Sequence, residues 1–116
     1  MEFAVSRDGA ALVTLQGGSE TTACDDARRS LAATLESLST DGTIDGWEID
    51  DADVYEHPTA PFDPYTITIE FTVTVVVDAD GDDRAAEVGA NAIDDALDAA
   101  GVDAVSYTSA PTTAPA

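Results

Sequence analysis

Residues 65–77 read YTITIEFTVTVVV, and no other stretch of the sequence alternates as regularly. Apolar side chains occupy every second position from Tyr65 to Val77, and the positions between them hold threonines, Glu70 and Val76. A period of two indicates a β-strand with one buried face. Such a strand would extend over roughly 40 Å. It predicts a sheet with helices on its inner face and solvent or a partner on its outer face.

Two helices are predicted from apolar stripes at helical spacing. The first spans 22–38, with Thr22 as its N-cap. The second spans 82–100, with Asp80 or Asp82 as its N-cap. The stripes consist of Cys24, Ala27, Leu31, Leu35 and Leu38 in the first helix and of Ala86, Ala90, Ile93, Leu97 and Ala100 in the second.

Three further segments predict strands. Residues 1–16 alternate apolar and polar positions on either side of Arg7-Asp8-Gly9, which predicts a hairpin with its turn at these residues. In residues 43–56 the apolar side chains move from odd-numbered to even-numbered positions near Asp51, which predicts a β-bulge there. Residues 102–108 predict a short last strand.

The order of these elements favours an α+β fold. We expect a ferredoxin-like or split βαβ sheet with two helices on one face, preceded by an N-terminal β-hairpin. The length of 116 residues indicates a single domain, which we place at 1–109. Residues 110–116 contain only Ala, Pro and Thr, and we expect them to be a flexible tail.

The net charge of the chain indicates the salt concentration to which it is adapted. The chain has 24 acidic residues against four basic ones, all arginine, which gives a net charge of −20. At ~1 M salt the Debye length falls to about 3 Å, so repulsion between carboxylates is largely screened. A chain rich in Asp and without Lys resembles the proteins of salt-accumulating haloarchaea. The periodic apolar segments argue against an acidic disordered chain.

The titratable residues predict no catalytic site. Pairs such as Asp25-Asp26 are expected from the composition alone. The segment 78–83 resembles the start of a calcium loop but lacks the glycine and the glutamate that this loop requires. Cys24 and His57 form no motif, and one arginine doublet is too little for nucleic-acid recognition. We therefore predict no enzyme activity, metal ligand or cofactor.

No secretory or membrane-spanning segment is visible, so we expect a protein that stays in the cytoplasm or is assembled there. A lone cysteine cannot form an internal disulfide.

The outer face of the central strand is the best candidate for an interaction surface. It is β-branched and nearly uncharged in a chain otherwise rich in carboxylates, and charge depletion is typical of the cores of interfaces. The alternative is a plain solvated sheet, since threonine favours strands. We predict an interface at Thr66, Thr68, Glu70, Thr72 and Thr74.

The order of motifs over residues 22–109 also resembles a known family. A helix with Leu31, Leu35 and Leu38 leads to a strand that ends in Val54-Tyr55. A proline loop closing in Pro64-Tyr65, the long alternating strand and a helix with Ile93 and Leu97 follow. In this order the chain resembles the tail-terminator and tail-completion proteins of tailed viruses.

The resemblance implies a non-enzymatic structural subunit of the virion that forms a ring, usually of six copies. It further implies docking on tail-tube or neck proteins, with the proline loop as a docking element at Pro58, Pro61, Phe62 and Pro64. The alternative is a cytoplasmic ferredoxin-like regulatory or adaptor module that dimerises through its sheet. Neither hypothesis involves sequence-specific nucleic-acid binding or a membrane.

Overall fold

The computed structural model describes residues 1–15, 19–56, 64–102 and 105–116. These residues form an α+β fold with five strands and two helices, as the sequence predicted at the level of fold class. In chain order the elements are β1 (Glu2–Leu15), α1 (Glu20–Thr40), β2 (Gly46–Glu56), β3 (Tyr65–Asp78), α2 (Asp82–Ala99), β4 (Val105–Tyr107) and β5 (Thr112–Pro115).

The two long strands β1 and β3 form the centre of the sheet. They pair antiparallel along their whole length, from Glu2 opposite Asp78 to Leu15 opposite Tyr65. β2 pairs with the other side of β3, while β4 and β5 pair one after the other with the other side of β1. The strand order is therefore β2-β3-β1-β4, with β5 also beside β1, and every pairing is antiparallel.

The first strand is continuous, so the predicted N-terminal hairpin is wrong. Gly9, which was expected in a turn, lies inside β1 opposite Phe71. A Cβ atom at this position would lie 3.1 Å from Phe71 Cζ and 3.4 Å from Tyr107 Cδ1. The glycine therefore marks a close approach of side chains to the backbone.

The edge strand β2 is irregular at two places. Its register with β3 shifts between Ile49 and Asp51 and again between Val54 and Glu56. The bulge predicted near Asp51 is confirmed. Because of this shift, Ile49 and Ala52 both stand opposite buried residues of β3.

Helix α1 starts two residues earlier than predicted. Its N-cap is Ser19, whose Oγ accepts a hydrogen bond from the backbone N–H of Thr22 at 3.2 Å. The predicted N-cap, Thr22, is thus wrong, because this residue already lies in the first turn. The helix ends at Thr40, with Asp41 as its C-cap, followed by Gly42 with φ of +81°. Its fully buried residues are Ala23, Ala27, Leu31 and Leu35.

Helix α2 lies very close to β1. A Cβ atom at Gly89 would be 2.5 Å from Val5 Cβ and Cγ1 and 2.6 Å from Val5 Cγ2, so a side chain there would force Val5 or the helix to move. The buried residues of α2 are Ala85, Gly89, Ile93, Ala96 and Leu97. This face differs from the predicted stripe, because the helix turns its glycine toward the sheet.

The start of α2 also differs from the prediction. The N-cap is Gly81, with extended backbone and no side-chain hydrogen bond, so neither Asp80 nor Asp82 caps the helix. Asp82 and Asp83 lie in the first turn, where their charge is favourable to the helix dipole.

Both helices cover the same face of the sheet. The core combines their buried residues with every second residue of β3, from Ile67 to Val75, and with Phe3, Val5 and Ala11 of β1. The opposite face, which we call the open face, has no helix against it among the described residues.

The C-terminal segment 110–116, expected to be a flexible tail, contains strand β5. Thr112–Pro115 pairs with Phe3–Ser6, and the backbone N–H of Ala116 donates to the carbonyl of Glu2 at 3.0 Å. No apolar pattern marks this strand in the sequence, because its contacts with β1 are made mainly by the backbone.

Candidate interaction surface: the open face of the sheet

The register of the strands defines the open face. On β3 it consists of the even-numbered positions, whose cross-strand partners on β1 are also even-numbered. Thr66, Thr68, Thr72 and Thr74 are half-buried there, and Glu70 is exposed. The structure therefore places all five predicted interface residues of β3 on one face.

The proline loop is only partly within the described residues. Pro64 lies directly before β3 and is half-buried. Pro58, Pro61 and Phe62, which the sequence predicted as docking residues, lie outside the described residues.

The middle of the open face is acidic. Thr72 lies between Asp8 of β1 and Asp50 of β2, with Oγ1 at 2.6 Å from Asp8 Oδ1 and 3.2 Å from Asp50 Oδ2. Glu48 stands opposite Thr72 on β2 and is exposed. The face as a whole is thus not poor in carboxylates, which corrects the expectation drawn from β3 alone.

Between the acidic middle and the last row, where Glu2 stands opposite Asp78, a short stretch of the open face carries no charged side chain. Two rows of residues cross β3, β1 and β5 there, and we call them the uncharged patch. Its members are Ala4, Ser6, Thr74, Val76, Thr112 and Ala114. Val76 is 41% exposed, which makes it one of the few large apolar side chains at the surface among the residues that the structure describes.

The hydroxyl groups of this patch are already hydrogen-bonded within the chain. Ser6 Oγ and Thr74 Oγ1 lie 2.7 Å apart, and either hydroxyl can donate to the other. Thr112 Oγ1 donates to the carbonyl of Ser6 at 3.4 Å. Burying these groups under a partner would therefore leave few polar atoms without a hydrogen bond.

Sequence reasoning predicted only Thr74 among the six patch residues, because it considered the threonines of β3 by themselves and divided β1 into a hairpin. The pattern that would have revealed one continuous strand is the spacing of its large apolar residues. Phe3, Val5, Val13 and Leu15 all stand at odd-numbered positions. This spacing indicates one strand with its even-numbered side chains on the opposite face.

A polar cluster lies on the helix side of the sheet. The guanidinium of Arg7 stacks on the Tyr107 ring, with its carbon 3.9 Å from the ring centroid. The Tyr107 hydroxyl donates to Asp94 Oδ1 on α2 at 3.0 Å. Burial and this hydrogen bond raise the pKa of Tyr107 to about 12, although the positive charge of Arg7 opposes the shift.

This cluster fits a structural role better than a catalytic one. A tyrosine with a raised pKa holds its proton more tightly, so Tyr107 is a poor general base near neutral pH. The cluster ties α2 to β4 and β1 by one hydrogen bond and one cation–π contact. Arg7 Nε is buried and has no hydrogen-bond partner among the described residues.

The remaining candidate groups that the structure describes are not assembled into a site. Cys24 is half-buried beside the core, and His57 lies outside the described residues. Asp78, at the start of the supposed calcium loop, accepts a hydrogen bond from the Met1 ammonium at 2.6 Å. This bond lowers the pKa of Asp78 and raises that of the Met1 amine. In the described part of the chain, no group of three or more acidic, His or Cys side chains is arranged to hold a metal ion.

The arginine doublet is occupied by intramolecular ion pairs. Arg28 Nη2 lies 3.6 Å from Asp51 Oδ1, and Arg29 Nη1 lies 3.4 Å from Asp26 Oδ1. Neither of the two described helices has the length and apolar character that crossing a bilayer requires.

Comparison with known proteins adds no relative. No protein-family model, curated protein or solved structure matches the chain. Function must therefore be argued from the sheet and its surfaces.

Proposed function

We propose that the chain is a non-enzymatic structural subunit that assembles with further copies of itself through the open face of its sheet. The observation that carries the proposal is the one-sided packing of the helices. Both lie on the face that contains Phe71, while the face that contains Thr74 and Val76 has no layer against it among the described residues. The sheet is built around two long strands and has one uncovered face, against which a second layer can pack.

The charge supports assembly in concentrated salt. Two copies carry −20 each and repel one another in dilute buffer. At ~1 M salt the repulsion acts only over about 3 Å, so contacts between uncharged surfaces can form. Assembly in molar KCl and its loss in dilute buffer are the behaviour that this composition favours.

The specific role that we propose is a ring at the tail or neck of a haloarchaeal tailed virus. It is supported by the order of helix, strand, proline loop, long strand and helix, in which the chain resembles tail-terminator and tail-completion proteins. A rigid sheet and a surface that binds another copy are the elements that a ring requires.

A second role is supported by a separate observation. The first six elements follow the order β-α-β-β-α-β, and the antiparallel sheet has the order β2-β3-β1-β4. This element order is that of ferredoxin-like domains. A cytoplasmic regulatory or adaptor module of this type would dimerise through its sheet and would form no ring.

Sedimentation in molar KCl over a range of protein concentrations tests the proposal. We expect masses above that of the 11.9 kDa monomer, and negative-stain images with rings if the viral role is correct. A dimer as the largest species would favour the regulatory module. A monomer at every concentration and salt level would contradict self-assembly altogether.

A further inference from the structure

Strands β4 and β5 pair one after the other with the same edge of β1, and the connection between them is longer than this pairing requires. The backbone N–H of Thr108, directly after β4, donates to the carbonyl of Asp8 at 3.0 Å. Thr112, the first residue of β5, stands opposite Ser6. One residue separates these two positions on β1, whereas three residues, 109–111, separate them on the other strand. The connection therefore contains two residues that a continuous strand would not need.

The segment 109–116, which we call the arm, is held to its own sheet mainly by backbone pairing. No residue of β5 is buried, and Thr113 alone is half-buried. The arm pairs with Phe3–Ser6 of β1. Elements with few buried contacts open at little cost in free energy. An open arm would leave the edge at Phe3–Ser6 unpaired, and the strand that fits this edge is β5 itself.

The arm can approach a second copy without electrostatic repulsion between side chains. It belongs to residues 104–116, the longest stretch of the sequence without a charged side chain. Two copies of −20 repel one another wherever both present carboxylates. The other edge strand, β2, carries the exposed carboxylates of Glu48, Asp50 and Asp53. Of the two edges of the sheet, the one formed by the arm is therefore suited to contact another copy.

We infer that the arm exchanges between copies, so that β5 of one copy pairs with Phe3–Ser6 of a second copy. The inference rests on the self-assembly proposed above and names the element that links the copies. Exchange keeps every hydrogen bond of β5, because the second copy offers the same edge with the same sequence. Exchanging an identical element is a low-cost route to assembly. Thr112 and Ala114 of the uncharged patch then come from the neighbouring copy.

The length of the connection fits a second copy stacked on the open face. From Thr108 to Thr112 the chain makes four steps, which extend over about 13–14 Å at most. Stacked sheets lie about 10 Å apart. The extended connection can therefore pass from the edge of β1 in one copy to the same edge in the other. With two residues fewer it would extend over only about 7 Å, which is too short. Ala110 precedes Pro111 and for this reason favours an extended backbone.

Effective concentration decides when exchange occurs. A short connection keeps the arm near its own edge at an effective concentration in the millimolar range. A chain alone in dilute solution is therefore closed, with β5 on its own β1. Contact through the open face brings the edge of a second copy to a comparable effective concentration, and the two edges then compete for the arm. Exchange thus follows the first contact and slows its dissociation.

Cross-linking of two single-cysteine variants tests the exchange. With Cys24 replaced by serine, Ala4→Cys and Ala114→Cys are made in separate chains, because these positions pair in the structure. Paired Cα atoms in antiparallel strands lie about 4.5–5.5 Å apart, which suits a disulfide. After mild oxidation of the mixture in molar KCl, we expect covalent heterodimers about tenfold or more above either homodimer. Random collision of equally exposed thiols would give only about twofold. Mass spectrometry of the digested dimer identifies the disulfide between positions 4 and 114.

Deletion of residues 109 and 110 is the matched control, because it removes the two extra residues and retains β5. Pro111 then stands opposite Arg7, at a position whose backbone groups point away from β1, so proline is tolerated there. The arm can still pair with its own β1, and we expect an unchanged circular dichroism spectrum. The shortened connection cannot reach a stacked copy, so cross-linking between positions 4 and 114 of different chains should fall to the level of random collision.

The outcomes separate the two proposals. A wild-type chain that stays monomeric at every concentration in molar KCl overturns self-assembly and exchange together. If the wild type associates but heterodimers form no more often than collision predicts, self-assembly stands and the exchange is wrong. Unchanged cross-linking after the deletion would likewise overturn the exchange, since the connection would then play no part in it.

Discussion

The contact between Gly89 and Val5 determines how closely α2 lies on the sheet, and a methyl group at Gly89 tests it. In Gly89→Ala the new Cβ would lie 2.5 Å from two atoms of Val5 and 2.6 Å from a third. Non-bonded carbon atoms prefer about 3.5–4.0 Å. The overlap is thus about 1 Å with a stiff β-branched side chain, and the helix must move away from β1.

The expected cost follows from two opposing terms. Overpacking of a core costs about 1–3 kcal/mol. Replacing glycine by alanine inside a helix stabilises the helix by about 1 kcal/mol. We therefore expect Gly89→Ala to lower the free energy of unfolding by about 1–2 kcal/mol, the overpacking term being near its upper end. This is measured by urea denaturation in molar KCl, followed by circular dichroism.

A double-mutant cycle identifies the cause. Val5→Ala removes the two Cγ atoms but keeps Cβ, and alone it should cost about 2 kcal/mol. Combined with Gly89→Ala, the loss should be smaller than the sum by about 1 kcal/mol, because two of the three overlaps are gone. Gly81→Ala, where no atom lies within 4 Å, is the control with an effect of about 0.5 kcal/mol. A neutral Gly89→Ala, or strictly additive effects, would refute the close contact.

Three further changes have expected outcomes. Transfer from molar KCl to dilute buffer should loosen or unfold the chain, since its charge of −20 is then unscreened, and an unchanged far-ultraviolet circular dichroism spectrum would contradict this. The pKa of Tyr107, raised from 10.0 to about 12, means that the folded state holds this proton more tightly, so the free energy of unfolding should fall as pH rises from 10 to 12. Tyr107→Phe should lack that fall, and equal pH profiles for the two proteins would argue against the Asp94 hydrogen bond. Because the N–H of Ala116 donates to Glu2, residue 115 directs its backbone groups away from β1, so Pro115→Thr should add an N–H group at the free edge of β5 and promote edge-to-edge association. Sedimentation in molar KCl would detect the larger species, and a mass distribution equal to that of the wild type would count against an edge protected by proline.

The elements with strong periodicity were predictable from the sequence. β3 alternates over its whole length and was expected within one residue of its observed end at Asp78. The bulge near Asp51 was also predictable, because inserting one extra residue is the usual way in which a strand changes its apolar phase while it stays paired.

The errors arose where tertiary contacts decide local structure. Gly9 was interpreted as a turn, but it lies inside β1, where a Cβ atom would crowd the side chains of Phe71 and Tyr107, and the local sequence does not reveal this contact. In the same way, α2 turns Gly89 toward Val5, so the buried face differs from the one that alanine spacing favoured. Both glycines serve close packing across elements distant in sequence.

The candidate surface was predictable in location but not in composition. The alternation of β3 placed Thr74 on the outer face, and the structure agrees. The residues beside it, Ser6 and Thr112, come from strands 68 and 38 positions away, as the numbering shows. Only the register of three strands reveals that acidic residues and the uncharged patch share one face.

Solvent accessibility of the open face under associating conditions tests the central claim most directly. The methyl signals of Val76, Leu12 and Val88 can be followed by NMR in molar KCl with a soluble paramagnetic agent, at increasing protein concentration. We predict that Val76 and Leu12, both on the open face, become protected from the agent as the protein associates, while Val88 of α2, on the helix side of the sheet, keeps its accessibility. Val76 remaining equally accessible in a sample that sedimentation shows to be associated would contradict a second copy on this face.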